Sequence, residues 1–337
     1  MHQQLPIPTF YAPKSVCEVY RVPYQQRATE AATWSKKHQI EPAYHDRQKI
    51  GLLLIDVQNT FCLPEFELFV GGTSGTGAID DNVRLCKFIY RHLGTITEIV
   101  PTMDSHTAMQ IFHPIFWIDE DRQHPQPGTT ITLAEVEGGL WRVNPLLKYG
   151  LSQDLEQLQQ HALHYMQKLS QEGRYPLTVW PYHSMVGGIG HALVSAVEEA
   201  VFFHSIARQS PTKFELKGSN PLTENYSVLS PEVLDTVNGE AIAQKNSSLI
   251  DKLLAFDALV IAGQAKSHCV AWTIENLLTE INAVDPSLTE KIYLLEDCMS
   301  PVVIPGVMDF SEQADLTFQK FKAAGMNLVC STELNFN

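Results

Sequence analysis

The sequence predicts an α/β fold, a mostly parallel central sheet with helices on both faces. Three observations carry that expectation. Short apolar runs recur along the chain with segments of helical spacing between them. The first run, Ile50–Ile55, reads IGLLLI and does not alternate with polar residues, as a strand buried on both faces would not. No internal repeat and no linker divides the alternation, so the 337 residues read as one domain.

In order, residues 1–45 contain Pro, Gln and Tyr with weak periodicity and read as an N-terminal extension to a domain over 46–337. Ile50–Ile55 is the first strand, Asn82–Leu93 a helix and Thr95–Val100 the second strand. Residues 105–150 hold several prolines and read as a long loop. Leu151–Glu172 has helical spacing, Leu177–Trp180 is a short strand and His191–Ala207 a helix. Thr212–Leu216 reads as a strand, followed by an irregular Asn/Ser/Pro-rich segment to about residue 240. Ala255–Ala262 is a strand with Cys269–Ile281 as its helix. Lys291–Leu295, Phe310–Ala324 and Asn327–Cys330 complete the alternation as strand, helix and strand.

Composition removes several function classes. A formal charge of -14 argues against nucleic acid or an anionic membrane as the main partner. No apolar run approaches the roughly 18 residues that span a bilayer, and the polar start Met1–Gln4 does not read as a signal peptide. Six cysteines lie scattered without CxxC pairs, which points to reduced thiols and a cytoplasmic setting. The expected partner is a small molecule, with homo-oligomerisation left open.

In such a sheet, ligands bind outside the carboxyl ends of the strands, so polar residues there carry most weight. Asp56 follows the first strand, Asp104 and His106 the second, Lys217 follows "FEL", and Cys269 lies just past "LVIAG" at the start of a helix. A thiolate attacks carbonyl carbon far better than a thiol, and a helix N-terminus supplies part of the field that favours it. Taken alone, Cys269 also reads as an ordinary buried cysteine, and Lys217 as a solvated surface lysine. Asp56, poorly solvated at the end of an apolar strand, should have a raised pKa, as a proton acceptor for a thiol requires. Asp104 and His106 are two apart on an extended segment and so point to one side, where both can reach one divalent ion. His183 in "WPYHS" is a candidate third ligand and His113 another, although among thirteen histidines such proximity also arises by chance. Such an O/N set suits zinc, iron or manganese.

Five segments in order carry a resemblance: "LLLIDVQNTFC", "TMDSHTAMQIFHP", "VWPYHSMVGGIGHAL", "ELKGSNPLTENYS" and "AGQAKSHCVAWT". Together they resemble the nicotinamidase/isochorismatase-like cysteine hydrolases, nearest to the nicotinamidase branch, over about residues 48–335. The resemblance implies a three-layer α/β/α hydrolase fold with insertions near 118–175 and 229–250. It implies Asp56 as base, Lys217 as electrostatic partner and Cys269 as nucleophile. It also implies one divalent metal, zinc first, on Asp104, His106 and His183, with His113 optional. A cis peptide at Gln264–Ala265 would turn the N–H groups of Ala265 and Cys269 toward an oxyanion. Phe61 and Trp180 would wall the substrate pocket, with Gln264 beside it in place of a usual apolar residue. Lys266 and His268 are expected to be flanking residues.

The implied activity is amide hydrolysis, of nicotinamide or a related small carboxamide, through a thioester. Another amide, a carbamoyl group or a vinyl ether as substrate remains an alternative, as does a non-catalytic binding protein of the same fold.

Overall fold

A computed structural model describes residues 4–151 and 153–336. Six parallel strands form the central sheet: β1 Ile50–Ile55, β2 Glu98–Asp104, β3 Glu215–Lys217, β4 Ala258–Gly263, β5 Ile292–Leu295 and β6 Asn327–Val329, in the order β6-β5-β4-β1-β2-β3. The chain builds outward from β1 in one direction through β2 and β3, then returns to add β4, β5 and β6 on the other side. The crevice beyond the carboxyl ends of β1 and β4 is therefore the switch point where such sheets bind ligands.

The seven main helices are α1 Tyr24–His38, α2 Gly77–Arg91, α3 Leu155–Gln171, α4 Ser195–Arg208, α5 Ser247–Leu254, α6 Ala271–Val284 and α7 Ser311–Ala323. Successive residues of a strand face opposite sides, and β1 shows the consequence. Ile50, Leu52 and Leu54 pack with α1, α2 and α4, whereas Leu53 and Ile55 pack with α5, α6 and α7. All six residues of β1 are buried, as the unbroken apolar run predicts.

A third apolar cluster lies away from the sheet. Phe112, Phe116, Trp117, Val143, Leu158, Tyr165 and Leu177 join it, with α3 as its longest element. Leu177–Thr178 does not join the central sheet as the alternation suggests; it pairs antiparallel with Thr130–Ile131. Two residues are too few to show a period, so the sequence cannot tell a small hairpin sheet from a parallel strand. Residues 105–150 likewise hold short elements, including a helix over Leu133–Glu137 closed by a Thr132/Glu135 capping box.

Residues 4–45 fold onto the α2/α4 face. Val16 and Ala31 are fully buried there, and Arg27 pairs with Glu199 of α4 at 2.7 Å. α1 buries only Arg27 and Ala31. A helix whose buried face is an arginine and an alanine leaves almost no apolar period, which is why this stretch shows none. β2 runs on through Pro101 to Asp104 instead of ending at Val100, so Asp104 is a strand residue. The segment after 240 contains α5, capped by the Asn246 side chain on the Leu249 N–H.

At the end of β4, Gly263 has φ +127°, and a Cβ there would lie 2.0 Å from the Ile55 carbonyl oxygen. That close approach lets β1 and β4 end together and sends the chain on to Gln264, whose N–H donates to the same carbonyl at 2.8 Å. Gly263→Ala should therefore cost about 3 kcal/mol or more, above the usual effect of one substitution. Gly239→Ala, also at positive φ but with nothing within 4 Å of the added methyl, should cost only about 1–2 kcal/mol. Thermal melts of both variants test this, and equal losses would contradict it.

Candidate active site

The ends of β1, β2 and β3 bring three charges together. Lys217 Nζ lies 3.0 Å from Asp56 Oδ2 and 2.8 Å from Asp104 Oδ1. It donates to the Asn225 carbonyl at 2.8 Å and stands 3.7 Å from Cys269 Sγ. All three charged residues are buried. The Thr102 hydroxyl donates to Asp56 Oδ1 at 2.6 Å and accepts from the Asp56 N–H at 3.1 Å, fixing one carboxylate oxygen. Asp56 Oδ2 faces the Lys217 ammonium and has no other partner among the described residues. It is the oxygen left to receive a proton.

Burial opposes charge on every group here, and the neighbours decide the outcome. Burial raises the Asp56 carboxyl above its usual range, with Lys217 opposing and Asp104 adding to the rise. Asp104 feels the same burial, yet His106 and Lys217 hold it well below the carboxylate range. For Lys217 burial acts against the ammonium, but Asp104 and Asp56 keep it firmly charged. Burial raises the Cys269 thiol well above its ordinary value, with Lys217 opposing and the two carboxylates adding. At rest, then, Cys269 is a thiol beside a carboxyl group that binds protons more readily than usual.

Asp104 also faces a second group. Its Oδ2 is 2.7 Å from His106 Nε2 and 3.4 Å from His183 Nε2. The opposite ring nitrogens are committed to carbonyls, His106 Nδ1 to Gly218 at 3.0 Å and His183 Nδ1 to Pro181 at 2.7 Å. Those bonds put the protons on Nδ1 and turn both Nε2 lone pairs inward, the arrangement that orients histidine as a metal ligand. The three ligand atoms lie within 4.8 Å of one another. Burial acts against a charged His106, but Asp104 pulls its pKa up, so the spot attracts positive charge. With neutral imidazoles, two carboxylates and one ammonium leave one negative charge in excess. His113 Nε2, buried and without a partner among the described residues, adds an unused lone pair on a ring 5.9 Å from those of both His106 and His183. The set fits one divalent cation of the zinc, iron or manganese kind.

Sheet and loop geometry build this cluster. Gln58 donates from Nε2 to the Asp104 carbonyl and accepts the Asp104 N–H on Oε1, both at 2.8 Å, tying the exits of β1 and β2. The His106 N–H donates to the Ser184 carbonyl at 3.0 Å, which brings the His183 segment alongside. Gly218 follows Lys217 at φ +86°, where a Cβ would meet the His106 ring at 2.6 Å. Only glycine leaves room for that ring.

Cys269 closes the arrangement from the other side of β1. After Gly263 the Gln264–Ala265 peptide is cis, as expected, and a short helical turn over Lys266–Val270 carries Cys269 into α6. The Ala265 N–H finds no acceptor among the described residues. Above Cys269 lies a cavity of about 300 Å³, walled by Phe61, Phe66, Phe69, Trp180, Tyr226 and His268, with Asp104, Lys217 and Glu224 among its polar lining. Such a volume suits a small ring.

The structure thus brings together Asp56, Lys217, Cys269, Asp104, His106 and His183, with Phe61, Trp180 and Ala265 lining the same cavity. Gln264 differs from expectation. It does not line the cavity; its buried amide donates to Asp81 at 2.9 Å and accepts from the Ser300 N–H at 3.2 Å. Its backbone is beside the site, but its side chain turns into the protein, where Asp81 offers an acceptor. His268 also differs, forming part of the cavity wall with its Nδ1 2.8 Å from Ser267 Oγ. Burial lowers its pKa to about 3, so it is a neutral aromatic surface. Lys266 does flank, held by Asp315 at 2.6 Å.

Sequence reasoning missed Glu224 and Tyr226. Tyr226 OH accepts from Trp180 Nε1 at 3.0 Å, fixing that wall. Glu224 is buried in the cavity lining, and burial pushes its carboxyl up to about 7. The signal was their place within ten residues of Lys217, in a segment without regular structure.

The fold is that of known amidases. Over 86% of this chain and 100% of the other, it is similar to the nicotinamidase/pyrazinamidase of Acinetobacter baumanii (17% identity, TM-score 0.52). It is also similar to the yeast nicotinamidase Pnc1p, including its complex with the inhibitor nicotinaldehyde, over 83% of this chain and 99% of that one (19% identity, TM-score 0.50). No protein-family model matches the chain, and no curated protein does.

Protein prepared without chelators should hold one divalent ion per chain by elemental analysis. His183→Ala should weaken that binding at least ~10-fold, the low end for loss of a ligand or its support. Full occupancy in His183→Ala would remove this residue from the ligand set.

Proposed function

We propose that the chain is a metal-assisted cysteine amidohydrolase that releases ammonia from a small aromatic carboxamide, nicotinamide being the first candidate. One observation carries this reading: at the floor of an aromatic-walled cavity, a buried ammonium lies 3.7 Å from a cysteine thiol and, just behind it, 3.0 Å from the Asp56 carboxylate. The shared fold with nicotinamidases supports it.

In this reading, Cys269 Sγ attacks the carboxamide carbon while Asp56 Oδ2 takes the thiol proton. The Ala265 and Cys269 N–H groups receive the negative charge that develops on the substrate oxygen, a contribution made mainly in the transition state. As the tetrahedral species collapses, Asp56 returns its proton to the nitrogen and ammonia leaves. Water then attacks the thioester with Asp56 again as base, and the acid is released as Cys269 recovers its proton. Lys217 stays charged throughout and steadies whichever of Asp56 and Cys269 is the anion.

Asp104, His106 and His183 would hold the divalent ion, with the unused lone pair of His113 adjacent. When bound, that ion would act as a Lewis acid and orient a donor atom of the substrate ring. Phe61, Trp180 and Tyr226 pack the ring and exclude water. Among the described residues, Lys217 is the one ammonium or guanidinium in the cavity lining, and it is already committed to two carboxylates. Among the described lining residues no uncommitted cationic side chain is left for a substrate carboxylate, which favours a neutral amide over an anionic vinyl ether.

The test is ammonia release from nicotinamide and a panel of small amides and carbamoyl compounds. Cys269→Ala should lose at least ~10⁴-fold in turnover, as loss of a nucleophile does elsewhere. The wild type should show an acyl adduct by intact mass with a slow substrate. Substantial turnover in Cys269→Ala would end the cysteine mechanism.

A further inference from the structure

Gln264 and Asp81 lie outside the chemistry just described, yet both are buried directly behind it. Asp81, in the first turns of α2, accepts from Gln264 Nε2 at 2.9 Å on Oδ2 and from Arg84 Nη2 at 2.8 Å on Oδ1. Arg84 in turn donates to the Asp297 carbonyl. The other end of the Gln264 amide accepts the Ser300 N–H at 3.2 Å, and the Ser300 carbonyl accepts the Lys266 N–H at 2.8 Å.

The residues on either side of Ala265 are therefore fastened to the same place. Gln264 holds by its N–H to Ile55 and by its side chain to Ser300 and Asp81, and Lys266 holds by its N–H to Ser300. Of these three residues Ala265 alone has an N–H with no acceptor among the described residues, and it lines the cavity beside Cys269. Its direction is set by neighbours that cannot turn without breaking buried hydrogen bonds. An oxyanion donor works only if preorganised, because a donor that must reorient at the moment of reaction gives up much of its effect.

We propose that Gln264 and Asp81 are a positioning pair that holds the Ala265 N–H toward the substrate oxygen. The pair rests on the amidohydrolase reading, in which that N–H receives the developing charge. Neither residue touches the substrate. A pair acting this way affects a tetrahedral adduct whose oxygen accepts from that N–H and leaves the reactivity of the thiol itself unchanged.

Pyridine-3-carbaldehyde separates the two effects. Its carbonyl carbon bonds to Cys269 Sγ while the thiol proton passes to the former carbonyl oxygen, giving a hemithioacetal whose oxygen occupies the oxyanion position. Iodoacetamide instead reads thiol reactivity with no such oxygen, the sulfur displacing iodide. The experiment measures both, with thermal melts, in wild type, Gln264→Leu, Gln264→Glu and the exchanged pair Gln264→Glu/Asp81→Asn. Gln264→Leu removes both hydrogen bonds, and Gln264→Met serves if leucine does not fold. Gln264→Glu sets two carboxylates against each other, and the exchange restores one donor, one acceptor and one charge.

Gln264→Leu and Gln264→Glu should bind the aldehyde at least ~10-fold more weakly, against the 10²–10³ attached to outright loss of an oxyanion donor. Alkylation rates should stay within about twofold of wild type, and the exchanged pair should recover most of the loss, as coupled neighbours do. Unchanged aldehyde affinity in Gln264→Leu, an equal fall in alkylation, or an exchanged pair no better than Gln264→Glu overturns the proposal. A wild type that forms no adduct overturns the nucleophile reading itself, and the pair with it.

Discussion

The Lys217 ammonium between Asp56 and Asp104 is the interaction on which the rest of the site depends. Burying one charge without partners is prohibitive, and burying two carboxylates side by side is worse. Lys217 makes both carboxylates tolerable at once, and it can do so only because β1, β2 and β3 end side by side at the same level. Its two carboxylate contacts, 3.0 and 2.8 Å, divide the site into halves with different chemistry. On one side Asp56 faces the thiol, and on the other Asp104 faces two histidines. The proton-transfer half and the cation-binding half share one lysine, so changing the charge of either should be felt in the other.

The walls come from elsewhere in the chain. The third apolar cluster, built from residues that the central sheet does not use, supplies Trp180. Tyr175, from the same region, donates to the Ser267 carbonyl at 2.9 Å and lies against His268, with ring centroids 5.0 Å apart. This region thus supports the turn carrying Cys269 as well as closing the cavity. Val302 and Ile304, just after β5, complete the lining. Elements far apart in sequence meet here because the switch point is the place where both halves of the sheet end.

Legibility in the sequence followed this division. β1 was plain, since an apolar run with no alternation can only be a strand or helix buried all round, and six residues are short for a helix. Asp56, Asp104, Lys217 and Cys269 could be found because each sits at or just past a strand end. α1 could not, because its buried face is Arg27 and Ala31, and an arginine paired with Glu199 has no apolar signature. The direction of the Gln264 side chain was hidden for a similar reason: its acceptor Asp81 lies 183 positions away. Glu224 and Tyr226 had only their nearness to Lys217 to mark them, because their segment has no period to show which way a side chain faces. Strand ends announce themselves in sequence; partners across the core do not.

The central claim is that Lys217 makes Asp56 and Cys269 work as one proton-exchanging pair. Lys217→Met keeps much of the side chain's length and removes the charge. The most direct test is the pH dependence of Cys269 alkylation by iodoacetamide, measured beside turnover in wild type and Lys217→Met. Without the ammonium, nothing in the triad opposes the burial that already raises the thiol. Alkylation should therefore become slower at every pH below about 8, the lower edge of ordinary thiol titration. Turnover should fall by at least ~100-fold, the low end for a positioned acid–base group. Wild-type turnover with an unchanged alkylation profile would contradict the account, leaving Lys217 a buried counter-charge with no part in the chemistry.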